Sequence, residues 1–382
     1  MIIEFTINSI FFAHVMKNTA LYLSALSFIV GLASCNAELE KTTSEEFKQT
    51  ITGEAQGTTW RIVYYDLQER NFKPQVDSIL KRVDESVSTY LSNSVIDQWN
   101  TSDSGAYIDH LFFDLLAMSW EVYEASNGAF DPTVKPLVSY WGFGPERFEH
   151  PELVEQHKID SLLELINFDT LRIIRNKGSF GMSELKGSMK KTDKLFLTKP
   201  VPGMQLDFNA IGQGWSVDQV VKFLEAQDLK LFFVEIGGEI AVGYPKPDGS
   251  LWRFGIDKPI DENAERELQA VINLRNKGLA TSGNYRKFYE KNGVRFSHTI
   301  DPTTGYPVQH NLLSATVVSK NAGLADAYAT AFMVMGMDSS IHFIEEHDYL
   351  SNFVYLISSD EEGNYKTFTS KQLESAIELV EE

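Results

Sequence analysis

The chain has 382 residues, 43% of them hydrophobic, which is enough apolar material for one large core or two modest ones and argues against disorder. Its 34 Lys and Arg against 53 Asp and Glu give a formal charge of −19, which opposes contact with polyanions and argues against nucleic acid as a partner. The single cysteine, Cys35, rules out an intrachain disulfide, a cysteine zinc cage and a Cys-x-x-Cys redox pair.

In chain order, Lys17 precedes the apolar run Leu21 to Leu32, too short for a comfortable membrane span and ending in Leu32-Ala33-Ser34-Cys35. That order resembles a lipoprotein signal peptide over residues 1–35, with Cys35 expected to become the lipidated first residue of the mature protein. Residues 36–50 then read as a polar tether and 51–382 as the body. The competing reading is an uncleaved anchor helix with an incidental thiol. Met16-Lys17 makes a more natural start than Met1, because Glu4 is out of character in a signal n-region.

Thr58 to Tyr65 is rich in β-formers and predicts a strand, and Val76 to Val87 carries apolar residues at helical spacing. Ile108 to Ala125 predicts a second amphipathic helix, closed by Asn127-Gly128. The charged stretch Pro145 to Leu165 reads as a helical insertion or surface arm, followed by short strands near Leu171 to Ile174 and Leu195 to Leu197. Ser216 to Ala226 predicts a helix, and Leu231 to Ile236 a buried strand closed by Gly237-Gly238. Strands near Trp252 to Ile256, Ala270 to Leu274 and Leu313 to Val318 precede a helix from Ala325 to Met335. Strands and helices mix without regular alternation, and no repeat is visible, so the predicted class is α+β with largely antiparallel sheets.

Four stretches carry residues suited to chemistry. Gly128 to Thr133, with Trp141 to Gly144, combines a carboxylate, aromatics and glycines that suit a flat aromatic ligand; a packed turn with a structural Asp131-Pro132 is the alternative. Leu206 to Trp215 reads as a glycine-bearing loop opening into a helix, able to offer N–H groups to phosphate, but it has neither the Rossmann glycines nor the Walker lysine. His298 lies three residues before Asp301 in a His-Thr-Ile-Asp-Pro-Thr-Thr-Gly run, leaving open either a general base or a histidine supporting a turn. Asp326 and Thr330, four apart, share a helix face and offer a carboxylate and a hydroxyl suited to Mg2+, which completes its shell with water and phosphate oxygens. An Asp favoured by the helix dipole beside a packed Thr330 is the alternative.

The order of these blocks resembles the FAD:protein FMN transferase family, also called ApbE. The resemblance runs through Gly53 to Trp60, Ser88-Thr89-Tyr90, Gly128 to Thr133, Asp207 to Trp215, Glu235 to Glu239, Thr281 to Tyr285, His298 to Gly305 and Asp326 to Thr330. It implies an α+β, T-fold-like domain in which FAD is contacted by Gln56, Tyr90, Ala129, Phe130, Asp131, Asp207, Gln213 and Ile300. It further implies Mg2+ held by Asp326, Thr330 and the backbone carbonyl of Ala210, with His298 as the histidine important for activity.

Three departures stand out: Gln56 replaces a frequent Met, Gln213 replaces a frequent Lys and so removes a cation near the cofactor, and Ala329 offers no side-chain oxygen. The implied reaction is Mg2+-dependent transfer of FMN from FAD to a Thr or Ser hydroxyl of an acceptor flavoprotein subunit in a membrane or secreted redox system. The enzyme would be a bacterial membrane lipoprotein facing the periplasm. A Mg2+-dependent FAD pyrophosphatase and a non-catalytic FAD-binding lipoprotein remain open as alternatives.

Overall fold

The computed structural model describes residues 47–144, 154–175, 178–185, 193–259, 267–284, 288–291, 294–347 and 353–380. The expected signal peptide with Cys35, most of the expected tether, Tyr285 and part of the charged arm lie outside these residues. Among the described residues, no helix is long and apolar enough to cross a membrane.

The chain opens with strands β1 (Lys48–Ala55) and β2 (Thr58–Tyr65), so the sheet starts ahead of Ile51. Helices α1 (Lys73–Val87) and α2 (Val95–Thr101), strand β3 (Gly105–Ile108) and helices α3 (His110–Ala125), α4 (Lys135–Tyr140) and α5 (Gln156–Leu163) follow. Strands β4 (Arg172–Arg175), β5 (Gly178–Gly181) and β6 (Leu195–Thr198) lead to helix α6 (Asn209–Ala226). Next come β7 (Phe232–Ile236), β8 (Glu239–Val242), β9 (Trp252–Asp257), β10 (Leu268–Leu274), β11 (Lys277–Gly283), β12 (Phe288–Lys291), β13 (Val294–Ser297) and β14 (Leu312–Ser319). Helix α7 (Ala322–Glu346) and strands β15 (Phe353–Ser359), β16 (Tyr365–Thr369) and β17 (Ile377–Leu379) complete it.

The main sheet has the order β1-β2-β7-β8-β11-β14-β15-β16, and every pairing in it is antiparallel. Smaller antiparallel sheets have the orders β3-β6-β4-β5 and β17-β10-β9, and β12 pairs with β13. This is the predicted α+β class. The main sheet is covered on both faces, which the strand period of two makes possible. On β2, Ile62 and Tyr64 face helices α1 and α6 while Val63 faces the β17-β10-β9 sheet; on β15, Val354 and Leu356 face α7 while Tyr355 and Ile357 face the small sheet.

Local signals account for several boundaries. The β1–β2 turn has two residues, Gln56 and Gly57, at φ 55° and 72°, the positive pair that matches the twist of a tight hairpin. Asp109 caps α3 by accepting the Phe112 N–H at 2.8 Å, and the helix ends through Asn127 and Gly128, both at positive φ, as the sequence predicts.

Two helices differ from expectation. α6 begins at Asn209, so Gly212, Gln213 and Gly214 belong to its first turns and not to a loop ahead of it. α7 runs to Glu346, well past Met335, and bends at Gly336, where φ is 76° and ψ 179°. His310 lies against that bend, its Nε2 2.9 Å from the Met333 carbonyl. Nδ1 accepts the Leu312 N–H, so in the neutral ring Nε2 carries the proton that the Met333 carbonyl accepts, and burial holds the imidazole below its ordinary value.

Candidate active site

The four blocks close into a ring of contacts. Asp207 donates its N–H to the Pro132 carbonyl at 2.8 Å, and Val134 bridges Gln205, so the Asp131 loop is bound to the segment entering α6. Asp207 then accepts the Asn209 N–H at 2.7 Å, setting the start of that helix. One turn along, Gly214 donates its N–H to Asp326 Oδ2 at 3.1 Å, joining α6 to α7. Thr330, a turn after Asp326, has its hydroxyl 3.3 Å from that of Ser282 on β11. Beyond β11, Asn284 accepts the Thr299 hydroxyl at 2.7 Å, which anchors the neighbour of His298. Trp141 closes the ring: its indole N–H donates to the Gly305 carbonyl at 2.8 Å and its ring stacks on Phe296, and through α4 it leads back to Asp131.

Gln56 enters from the β1–β2 turn and donates Nε2 to the Ser216 hydroxyl on α6 at 2.8 Å. It also bonds Asp84 of α1, the helix that Tyr90 follows. Tyr90 is 69% exposed. Gln213 lies over Gly237 so closely that a methyl there would come 2.7 Å from its Nε2, which places the amide at the β7–β8 turn.

Other residues contribute differently from the sequence reading. The stacking area expected of the aromatics near Asp131 is taken up by the interior: Phe130 and Trp141 are buried in two separate apolar clusters. Ile300 shares Trp141's cluster, and both Phe130 and Ile300 leave little side-chain surface exposed. Ala129 lies in the turn and donates its N–H to the Ser126 carbonyl. Asp131 behaves as the turn reading has it, with Oδ1 accepting both the N–H and the hydroxyl of Thr133 at 2.7 and 2.6 Å. Burial pushes its carboxyl up to about 6, against the lowering effect of those bonds. His298 is partly buried, with the Phe143 ring at 69° to its own and 6.4 Å away.

Sequence reading missed Ser282, Asn284 and Ser216 as individual contacts, because each acts through a partner far away in the chain. It also missed Asp218, a buried carboxylate on α6 that accepts the N–H groups of Ala322 and Gly323 at 2.9 Å each.

The carboxyl of Asp326 is raised, first by burial and further by the nearby Asp218 carboxylate, with only the Gly214 N–H lowering it. A buried carboxylate so placed is either neutralised by a proton or compensated by a cation. Its donor set is sparse: among the described residues, no group of three or more His, Cys, Asp or Glu is placed to hold a metal. Asp326, Thr330 and the Ala210 carbonyl, toward which a regular helix directs the Gly214 N–H, fit a hard cation whose remaining ligands are water and phosphate oxygens.

Comparison with known proteins places this chain in one family. The ApbE family model matches residues 56–354, and the chain belongs to that family. It is 32% identical over 377 residues to the FAD:protein FMN transferase of Haemophilus influenzae, covering 96% of this chain and 99% of the relative. It is 29% identical to the Escherichia coli K12 protein of the same name, covering 93% and 96% respectively. Among solved structures, the flavin transferase ApbE from Vibrio cholerae aligns with a TM-score of 0.71 at 28% identity, over 86% of this chain and 99% of that one. The apo flavinyl transferase ApbE of Pseudomonas stutzeri aligns with a TM-score of 0.72 at 29% identity, over 86% and 96%.

Proposed function

We propose that this chain transfers FMN from FAD to a Thr or Ser hydroxyl of an acceptor protein and releases AMP. The observation that carries this reading is the ring of contacts itself, which brings the blocks of a flavin transferase together around Asp326 and Thr330. The acceptor oxygen bonds to the phosphorus on the FMN side, the phosphoanhydride bond to AMP breaks, and the hydroxyl proton passes to His298. A neutral imidazole suits that proton transfer near neutral pH.

Mg2+ bound by Asp326, Thr330 and the Ala210 carbonyl would polarise the phosphoryl oxygens and offset their charge in this acidic chain. Tyr90 supplies stacking area for the isoalloxazine, Gln213 and Gln56 supply amide hydrogen bonds, and the rigid Asp131 and Asp207 turns bring backbone close to the cofactor. The acceptor is a flavin-carrying subunit of a membrane or secreted redox system. Lipid on Cys35 would hold the enzyme at the bacterial membrane, facing the periplasm.

Incubating the purified chain with FAD, Mg2+ and an acceptor subunit tests the reaction. A fluorescent, covalently labelled acceptor band is the expected result. FMN and AMP appearing at equal rates with and without acceptor, and no band, would replace transfer by FAD hydrolysis. Intact bound FAD after prolonged incubation would leave only a binding protein.

A further inference from the structure

Helices α6 and α7 cross where neither has side-chain bulk. A methyl on Gly214 would lie 2.4 Å from the Ala322 carbonyl oxygen and 2.8 Å from Asp326 Cβ; one on Gly323 would lie 2.7 Å from Met118 Sδ and 3.0 Å from Asp218 Oδ2. At this crossing the two helices exchange carboxylates. Asp218 of α6 accepts the N–H groups of Ala322 and Gly323 on α7, and Asp326 of α7 accepts the N–H of Gly214 on α6. Gly214 and Asp218 are one turn apart on α6, as Ala322 and Asp326 are on α7, so the clamp spans a single turn of each helix.

The clamp does more than cap a helix. Asn321 is the N-cap of α7, its side chain accepting the Leu324 N–H at 3.0 Å, so the helix already has a local cap. Asp218's two bonds instead tie one helix to the other. They leave a second carboxylate buried near Asp326, an arrangement that costs stability unless both are compensated.

We propose that Asp218 is a positioning residue: by holding the start of α7 against α6 it sets the rotation and height at which Asp326 and Thr330 present their oxygens to a divalent cation. This rests on the reading of Asp326 and Thr330 as cation ligands, and the test separates the two. Its action is that of a residue behind a metal ligand, whose loss weakens metal binding roughly 10–100-fold.

The readout is Mn2+ binding to the full chain, followed by the electron paramagnetic resonance signal of free Mn2+, with thermal unfolding measured in parallel. Asp218→Asn keeps the shape and removes the charge; Asp218→Glu keeps the charge and moves the acceptor oxygens by one methylene. Both are expected to weaken Mn2+ binding by roughly tenfold or more. Asn321→Ala, which weakens the same helix start without touching the crossing, is expected to lower thermal stability and bind Mn2+ like wild type. Wild-type affinity in Asp218→Glu would reduce Asp218 to a field effect, and equal weakening in Asn321→Ala would reduce it to helix stability; either overturns the proposal, as does unchanged binding in Asp218→Asn.

Should the Asp218 variants not fold, Gly323→Ala presses on the same oxygen without changing charge and carries the same expectation. An Asp326→Asn control that binds Mn2+ as tightly as wild type, or a wild-type chain that binds none, would instead remove the cation site itself and the positioning role with it.

Discussion

Asp326 on α7 and Gly214 on α6 are joined by a 3.1 Å hydrogen bond whose donor is the N–H that a regular helix directs toward the Ala210 carbonyl. The contact requires glycine, because a methyl at 214 would meet the Ala322 carbonyl and Asp326 Cβ inside van der Waals distance. Gly214→Ala is therefore expected to cost about 1–3 kcal/mol by overpacking and to lower flavin transfer at least in proportion. Denaturant unfolding and a fluorescent-band assay check both parts.

Thr330 and Ser282 hold their hydroxyls 3.3 Å apart, so the two oxygens are interchangeable as donor and acceptor. Thr330→Ser keeps the oxygen and should retain transfer at saturating Mg2+. Thr330→Val keeps the shape, loses the oxygen, and should raise the Mg2+ concentration for half-maximal rate by about tenfold. Rate against Mg2+ concentration distinguishes them, and equal curves for the two variants would remove Thr330 from the cation site.

His298→Ala should lower the rate at neutral pH by about a hundredfold or more, in line with loss of a general base, while leaving FAD binding near wild type. FAD affinity by flavin fluorescence and single-turnover labelling separate the two effects. Loss of both together would show a supporting role for the ring.

Asp131 gives a pH-dependent stability of defined sign. Its carboxyl is raised by burial from 3.8 to about 6, so the folded chain holds that proton more tightly than the unfolded one. Its stability contribution is present below the ordinary value and is lost as pH rises through about 6. Asp131→Asn retains an oxygen for the Thr133 N–H and hydroxyl and does not titrate, so it should gain on wild type as pH climbs from about 4 to 7. Thermal unfolding across that range checks the trend, and a difference constant with pH would contradict it.

Trp141 fixes the segment carrying His298 through its hydrogen bond to Gly305 and its stacking on Phe296. Trp141→Phe keeps an aromatic ring but drops the N–H, and should cost about 1–3 kcal/mol. It should reduce the transfer rate more than FAD affinity, because the segment loosened carries His298 and not Tyr90.

The sequence made legible what depends on neighbours in the chain. β2, the end of α3, and the glycine closure of β7 all follow from residues within a few positions of the boundary. The start of α6 did not, because Gly212 and Gly214 look like loop residues until the crossing helix is seen to require Gly214. The exposure of Tyr90 and the burial of Phe130 and Ile300 also lay beyond reach, since an aromatic or branched residue in a motif does not reveal which way it faces. Asp326 and Thr330 were identifiable as a pair by helical spacing alone; Ser282, Asn284 and Ser216 became visible only once distant segments met.

The bend at Gly336 divides α7 into a leading half that bears Asp326 and Thr330 and a trailing half that leads toward β15. At that joint, braced by His310, the chain doubles back far enough for Phe343 to pack on Tyr328 and Phe332, so the trailing half closes over the apolar face of the leading half and the two hold one another.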